Sequence, residues 1–193
     1  FSTDEIFQRI VVAADEEITA SRRELFFSSL AAGFAITLTF LMYVTASAST
    51  DNDPILSQLL YPLGFIYIIL GGYQLYTENT LPPVALVLER LVSVPKLLKK
   101  WLIVLVGNFA GGGLGALALA STDVLSPKAS AIAAEIAFKG VHTSMDALFV
   151  KAVFAGFIVA GVVWVDFAAG NTTTRLLVIY LAFFAIPLGE LYH

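Results

Sequence analysis

Between one charged residue and the next, this chain runs uncharged over residues 25–50, 54–77, 79–88, 101–122, 152–165 and 176–189. A helix rises 1.5 Å per residue, so about 20 apolar residues cross the roughly 30 Å hydrocarbon core of a bilayer. The windows 25–50, 54–77 and 101–122 are long enough to do so. Residues 147–165 join them if Lys151 sits where its ammonium can reach the headgroups. The windows 79–88 and 176–189 are too short to cross alone. Charged residues make up 13% of the chain and hydrophobic ones 58%, whereas a soluble domain carries roughly 25% charge. The chain therefore reads as an all-α integral membrane protein.

Ahead of the first window, residues 3–24 place Ile6, Phe7, Ile10, Val11, Ala14 and Ile18 at helical spacing, with Asp4, Glu5, Asp15, Glu16 and Glu17 largely on other faces. The pattern fits an amphipathic helix on the membrane surface, or equally a helix packed on its own bundle. We divide the chain into this N-terminal helix, 1–24, and a transmembrane domain, 25–193. The first twenty residues lack the layout of a signal peptide, so the first span is expected to serve as insertion signal. Cysteine is absent.

Orientation follows from lysine and arginine. Arg9, Arg22, Arg23, Arg90, Lys96, Lys99, Lys100 and Arg175 fall on one side of the predicted spans; Lys128 and Lys139 fall on the other. The positive-inside tendency puts the N-terminus in the cytoplasm. Trp101 and Trp164 would then anchor at the cytoplasmic interface. The predicted helices are 26–48, 55–74, a half helix at 82–93, 101–121, 147–165 and 175–188, with a short helix in the loop after the third span.

The stretch "LYTENTLPP", residues 75–83, interrupts this map with polar side chains and two prolines between apolar runs. It is either an external turn or a break in a helix at membrane depth. Irregular backbone is not tolerated facing lipid, where each unpaired group costs several kcal/mol, but survives where it lines a cavity. The segment after it is too short to cross back, which favours the break.

"GYQLYTEN", residues 72–79, resembles the GAELFTGN-type signature of the formate/nitrite transporter family, in which this loop breaks the second helix. "WLIVLVGNFAGGGLGA", 101–116, is similar to that family's third-helix stretch, and "FIVAGVVW", 157–164, to the end of its fourth helix. All three lie in register. The resemblance implies an aquaporin-like helical bundle with inverted repeats and broken helices two and five, assembled as a homopentamer with one pore per protomer. It implies passage of small monovalent anions such as formate or nitrite across a bacterial inner membrane, by channel or proton-linked transport.

Carried over by position, Tyr61, Phe65, Leu75 and Tyr76 fall on pore constrictions, Thr77 and Asn79 on the pore loop, and His193, after "IPLGELY", on the pore histidine that lends a proton. The sequence departs from the family at Gln74, where the signature has an acid, at Tyr76 and at Gly156, and has one residue more before the histidine. The substrate therefore does not carry over. The chain also stops where the family continues with the rest of helix five and a sixth helix.

Gly107, Gly111 and Gly115 recur every four residues, a spacing that lets helices approach closely. Asn108 could bond a neighbouring helix or hold a broken-helix terminus. Lys139 and Lys151 are candidates for attracting anions, Lys151 more simply as a residue reaching the interface; His142 reads as a loop residue. No cofactor, metal or nucleic-acid partner is expected. An enzyme is disfavoured because HExxH and GxSxG are absent and the two histidines lack metal-ligand spacing. A non-conducting membrane protein of the same fold stays open as the alternative.

Overall fold

The computed structural model describes residues 1–192. Among them are eight α-helices: α1 (Thr3–Thr19), α2 (Arg22–Ser49), α3 (Leu63–Gly71), α4 (Leu81–Leu88), α5 (Val94–Ala120), α6 (Pro127–His142), α7 (Met145–Ala168) and α8 (Thr172–Leu188). Three of these, α2, α5 and α7, are long and apolar enough to cross a membrane.

The break between the N-terminal helix and the first span falls at Ala20 and Ser21, earlier than the expected boundary at residue 24. Ala20 leaves the helical region with ψ 147, and Ser21 caps α2 by accepting from the Glu24 amide. A capping residue competes for the backbone donors that a continuous helix would use, so the chain turns there. Nor does α1 lie free on a surface. Its Ile6 and Ile10 pack on Ala85 of α4 with Trp164 and Phe167 of α7 alongside, and its Ala14 and Ile18 pack with Leu86 and Val92. The indole of Trp164 is thus part of an internal cluster.

The second predicted helix also corrects. Its beginning is a single 3-10 turn, Leu56–Gln58, and α3 holds only 9 residues. Asp53 causes the turn: its Oδ1 accepts from the amides of Ile55 and Leu56 at 2.9 and 2.8 Å. The half helix α4 stops at Leu88, and Arg90 follows with φ 59. In turn α5 begins before Trp101, at Val94, because Ser93 is extended and Pro95 stands in the first turn, where a missing N–H costs nothing.

Helices α2 and α5 touch along glycines. A Cβ on Gly107, Gly111 or Gly115 would lie 2.5 Å from the Ser29 side chain, 2.0 Å from the Leu30 carbonyl oxygen and 2.0 Å from the Thr37 hydroxyl, respectively. These are less than any contact a side chain makes, so only glycine permits this separation. Beside that seam the core runs through Ala32 of α2, Phe65, Ile68 and Ile69 of α3, Val159 and Val162 of α7, and Ile179, Phe183 and Ile186 of α8.

The charges sort by end. On the α1 side, Lys100 binds Glu17 at 2.9 Å, Arg9 donates to the Phe167 carbonyl at 2.8 Å, and Arg175 grips Asp166. On the opposite side, Lys128 binds Asp51 and Lys139 binds Glu190.

Candidate functional site

Helix α3 ends at Gly72, whose φ of 70 is a left-handed conformation that glycine adopts without a Cβ penalty. The amide of Tyr73 closes the end by donating to Ile68 at 2.9 Å. Nine residues after Gly72, α4 begins at Leu81 with Pro82 and Pro83 in its first turn. At 9 and 8 residues, α3 and α4 are each only about 12–14 Å long. They are two half helices, and the connection between them lies within the bundle.

Side chains of α2 and α5 bond the backbone of this connection. Asn108 of α5 bridges it to α2: its Nδ2 donates to the Gln74 carbonyl at 2.9 Å and to the Ser29 carbonyl at 2.8 Å, while its Oδ1 accepts from the Tyr76 amide at 2.8 Å. Both roles left open for Asn108 are therefore filled at once. The Gln74 amide donates to Ser28 Oγ at 3.1 Å, and Trp101 Nε1 donates to the Asn79 carbonyl at 2.9 Å. Trp101 thus fastens the loop; its ring also meets Tyr76 edge-on, centroids 5.9 Å apart. Asn79 Nδ2 donates to Gln74 Oε1 at 2.8 Å inside the loop.

Above the loop, away from α1, is a cavity of 560 Å³. Tyr61, Phe65, Leu75, Tyr76 and Thr77 all line it, brought together from α3, the loop and the turn before α3. Asn108, Leu191 and Tyr192 are among the other residues of its wall. Phe65 stacks on Phe183 of α8 with centroids 3.9 Å apart, and Tyr61 leans on Phe65 at 5.8 Å. The lining is mostly apolar. Thr77, one of the lining residues, carries a buried Oγ1 that has no protein partner among the described residues.

Asn79 does not join this group. It lines a second cavity, of 180 Å³, below the loop, with Glu78, Asp166 and Arg175. His193 lies outside the described residues. The chain leading to it turns sharply after Leu188, with Glu190 at φ 51 and Leu191 folded back onto the core. Lys139 and Lys151 converge there: Lys139 Nζ meets Glu190 Oε2 at 2.9 Å, Lys151 Nζ donates to the Glu190 carbonyl at 2.8 Å, and it also faces the Tyr192 ring at 5.2 Å. The Glu190 hydrogen bond holds the Lys139 ammonium above its usual range. His142 ends α6, its ring stacked on Phe138 and its Nδ1 at 2.9 Å from the Phe138 carbonyl. Around Gly156 a Cβ would meet nothing within 4 Å.

Sequence reasoning missed Glu78 and underused Gln74 and Trp101. The signal for Glu78 was present as a charge inside an apolar stretch, which by default marks a functional candidate.

A loop between two half helices, bordering an apolar cavity in a helical bundle, is the kind of broken helix with which membrane channels and transporters build sites. The formate/nitrite transporter family matches residues 4–193, and the chain belongs to that family. The chain is 28% identical to the inner membrane protein YfdC of Escherichia coli (strain K12) over 193 residues, 97% of this chain and 62% of that protein. It is 26% identical to the formate channel FocA of Haemophilus influenzae over 165 residues, 81% of this chain and 57% of that protein. It therefore spans about three fifths of these relatives' length. Among solved structures it resembles a pentameric formate channel with formate bound (TM-score 0.77, 20% identity, 89% of this chain and 70% of that one). It also resembles an FNT family ion channel (TM-score 0.73, 16% identity, 99% and 76%). The bundle with broken helices is thus the fold of that family.

Proposed function

We propose that this chain forms the pore region of a membrane channel or proton-linked transporter for small monovalent weak-acid anions, with formate and nitrite as the first candidates. The observation that carries the reading is the apolar cavity closed by Leu75 and Tyr76 on a loop whose backbone is bonded by protein. Family membership and the formate channel among its relatives support it. Transport rather than catalysis is the family's business. The pentameric neighbour supports a homopentamer with one path per protomer, and YfdC supports an inner membrane setting. We place the α1 side in the cytoplasm, since the eight positive charges of the sequence argument gather there.

An anion crossing an apolar constriction loses its hydration at a cost of many kcal/mol, and the neutral acid does not. Tyr61, Phe65, Leu75 and Tyr76 supply the constriction in this reading. Thr77 offers the passing molecule a hydroxyl, and His193 the proton. Lys139 and Lys151 draw anions to the far mouth, in competition with Glu190. Full-length protein in proteoliposomes should pass formate or nitrite, and Tyr76→Ala should raise flux or relax selectivity by removing a ring from the narrowest lining. A folded protein with no anion flux would leave the non-conducting alternative. His193→Asn should abolish pH dependence if the residue lends a proton, and leave it near normal if it is only a polar lining.

A further inference from the structure

Below the loop, one carboxyl oxygen is left without a protein partner. Glu78 follows Thr77 directly, on the 3-10 turn Glu78–Thr80, and its Oε2 is inaccessible to solvent and makes no hydrogen bond to any described residue. Glu78 lines the 180 Å³ cavity, whereas Leu75, Tyr76 and Thr77 line the larger cavity above. The loop is therefore a partition, with an unbonded hydroxyl on one side and an unbonded carboxyl on the other.

The groups around Glu78 are Glu17 from α1, Tyr73 from the loop, Asp166 from α7 and Arg175 from α8. The cations nearby are already committed. Arg175 donates from Nε and Nη2 to both Asp166 oxygens at 2.7 Å, and Lys100 of α5 holds Glu17 at 2.9 Å. An ionised Glu78 would thus stand buried beside two other carboxylates with no cation of its own, a costly arrangement that a single proton relieves. The cavity has several times the roughly 30 Å³ that one water occupies, so water can deliver that proton.

We propose that Glu78 is a proton-exchanging group of the transport path on the α1 side of the loop; this rests on the transport reading above. A hydronium ion reaching that side gives up a proton and is left as water, an O–H bond forms on the Glu78 carboxylate, and the site loses one negative charge. With the charge gone, an anion can approach the loop from the α1 side. When the O–H bond breaks, the proton returns to water or leaves on the anion, and the restored carboxylate repels the next anion. Gating by this group makes flux depend on pH on the α1 side separately from any dependence set at the far mouth.

The test uses the full-length protein in oriented proteoliposomes, with formate as probe and the pH of each compartment varied alone. Wild-type flux should change with α1-side pH by about tenfold per pH unit across the titration, as a one-proton event requires, and Glu78→Gln should flatten that to less than about twofold. Dependence on the opposite compartment should persist in the variant. An unchanged α1-side profile in Glu78→Gln overturns the proposal. A second measurement keeps it decidable if the variant does not fold or the wild type carries no formate: infrared difference spectra of the wild type during a pH step. A protonated-carboxyl carbonyl band that responds to pH, and that is missing from Glu78→Gln wherever that variant folds, is expected. Its absence from folded wild type at every pH tested overturns the assignment. Absence of flux with the band present rejects the transport reading and leaves Glu78 as a protonating site.

Discussion

Replacing Asn108 by alanine tests whether one α5 side chain holds the loop in place. The substitution removes three contacts of 2.8–2.9 Å, to Ser29, Gln74 and Tyr76. Their consequences differ. Ser29 lies within α2, so its carbonyl keeps a ladder partner. The Gln74 carbonyl and Tyr76 amide sit where α3 has ended and no helix continues, so each is left unpaired. An orphaned group costs about 1–3 kcal/mol, and water entering from the neighbouring cavity recovers part of that, so the loop should loosen by about 2–4 kcal/mol. Since about 1.4 kcal/mol is a factor of ten, exchange of the Tyr76 amide through local opening should accelerate roughly 30- to 1,000-fold. Hydrogen exchange with mass spectrometry on the full-length protein in lipid nanodiscs reads this directly, with α2 and α7 as internal controls. Asn108→Asp is the sharper variant, because it keeps the acceptor for Tyr76 and replaces the Nδ2 that donates to both carbonyls by an oxygen facing them. Unchanged protection over residues 74–79 in both variants would refute the account of how this loop is held.

Gly111→Ala would place a methyl group 2.0 Å from the Leu30 carbonyl oxygen and 2.8 Å from the Phe34 nitrogen. Both are backbone, so α2 and α5 must separate; overpacking of this kind costs about 1–3 kcal/mol or more, and thermal stability in detergent should fall accordingly. Trp101→Phe keeps the ring against Tyr76 but loses the donor to Asn79, so the loop should loosen by only about 1 kcal/mol, visible as faster exchange at 79–81 without loss of assembly. The Asp53 carboxyl is held below its usual 3.8, first by the Leu56 amide and then by the Ile55 amide. A lowered folded value contributes stability above the unfolded value that is lost as pH falls through the folded one, so residues 50–58 should exchange faster only as pH drops below 3.8.

The membrane character, the helical class and the break at residues 75–83 were legible in the sequence because each depends on a local quantity: the length of an uncharged run, or a polar and proline-rich gap too close to its neighbours to be a crossing. Helix ends were read less well. Ser21, Asp53 and Ser93 each turn the chain through one or two backbone hydrogen bonds or an extended residue that hydropathy does not record. Tyr61, Phe65, Leu75, Tyr76 and Thr77 were named from a family likeness, but only the packing of α3 against α8, seen in the Phe65–Phe183 stack, sets them around one volume. The choice between two roles for Asn108 was undecidable in sequence because its three partners are 32 to 79 residues away. The same holds for Glu78. Its charge was visible, but whether a cation meets it depended on where α1, α7 and α8 end, and the tertiary structure gives Lys100 to Glu17 and Arg175 to Asp166 instead.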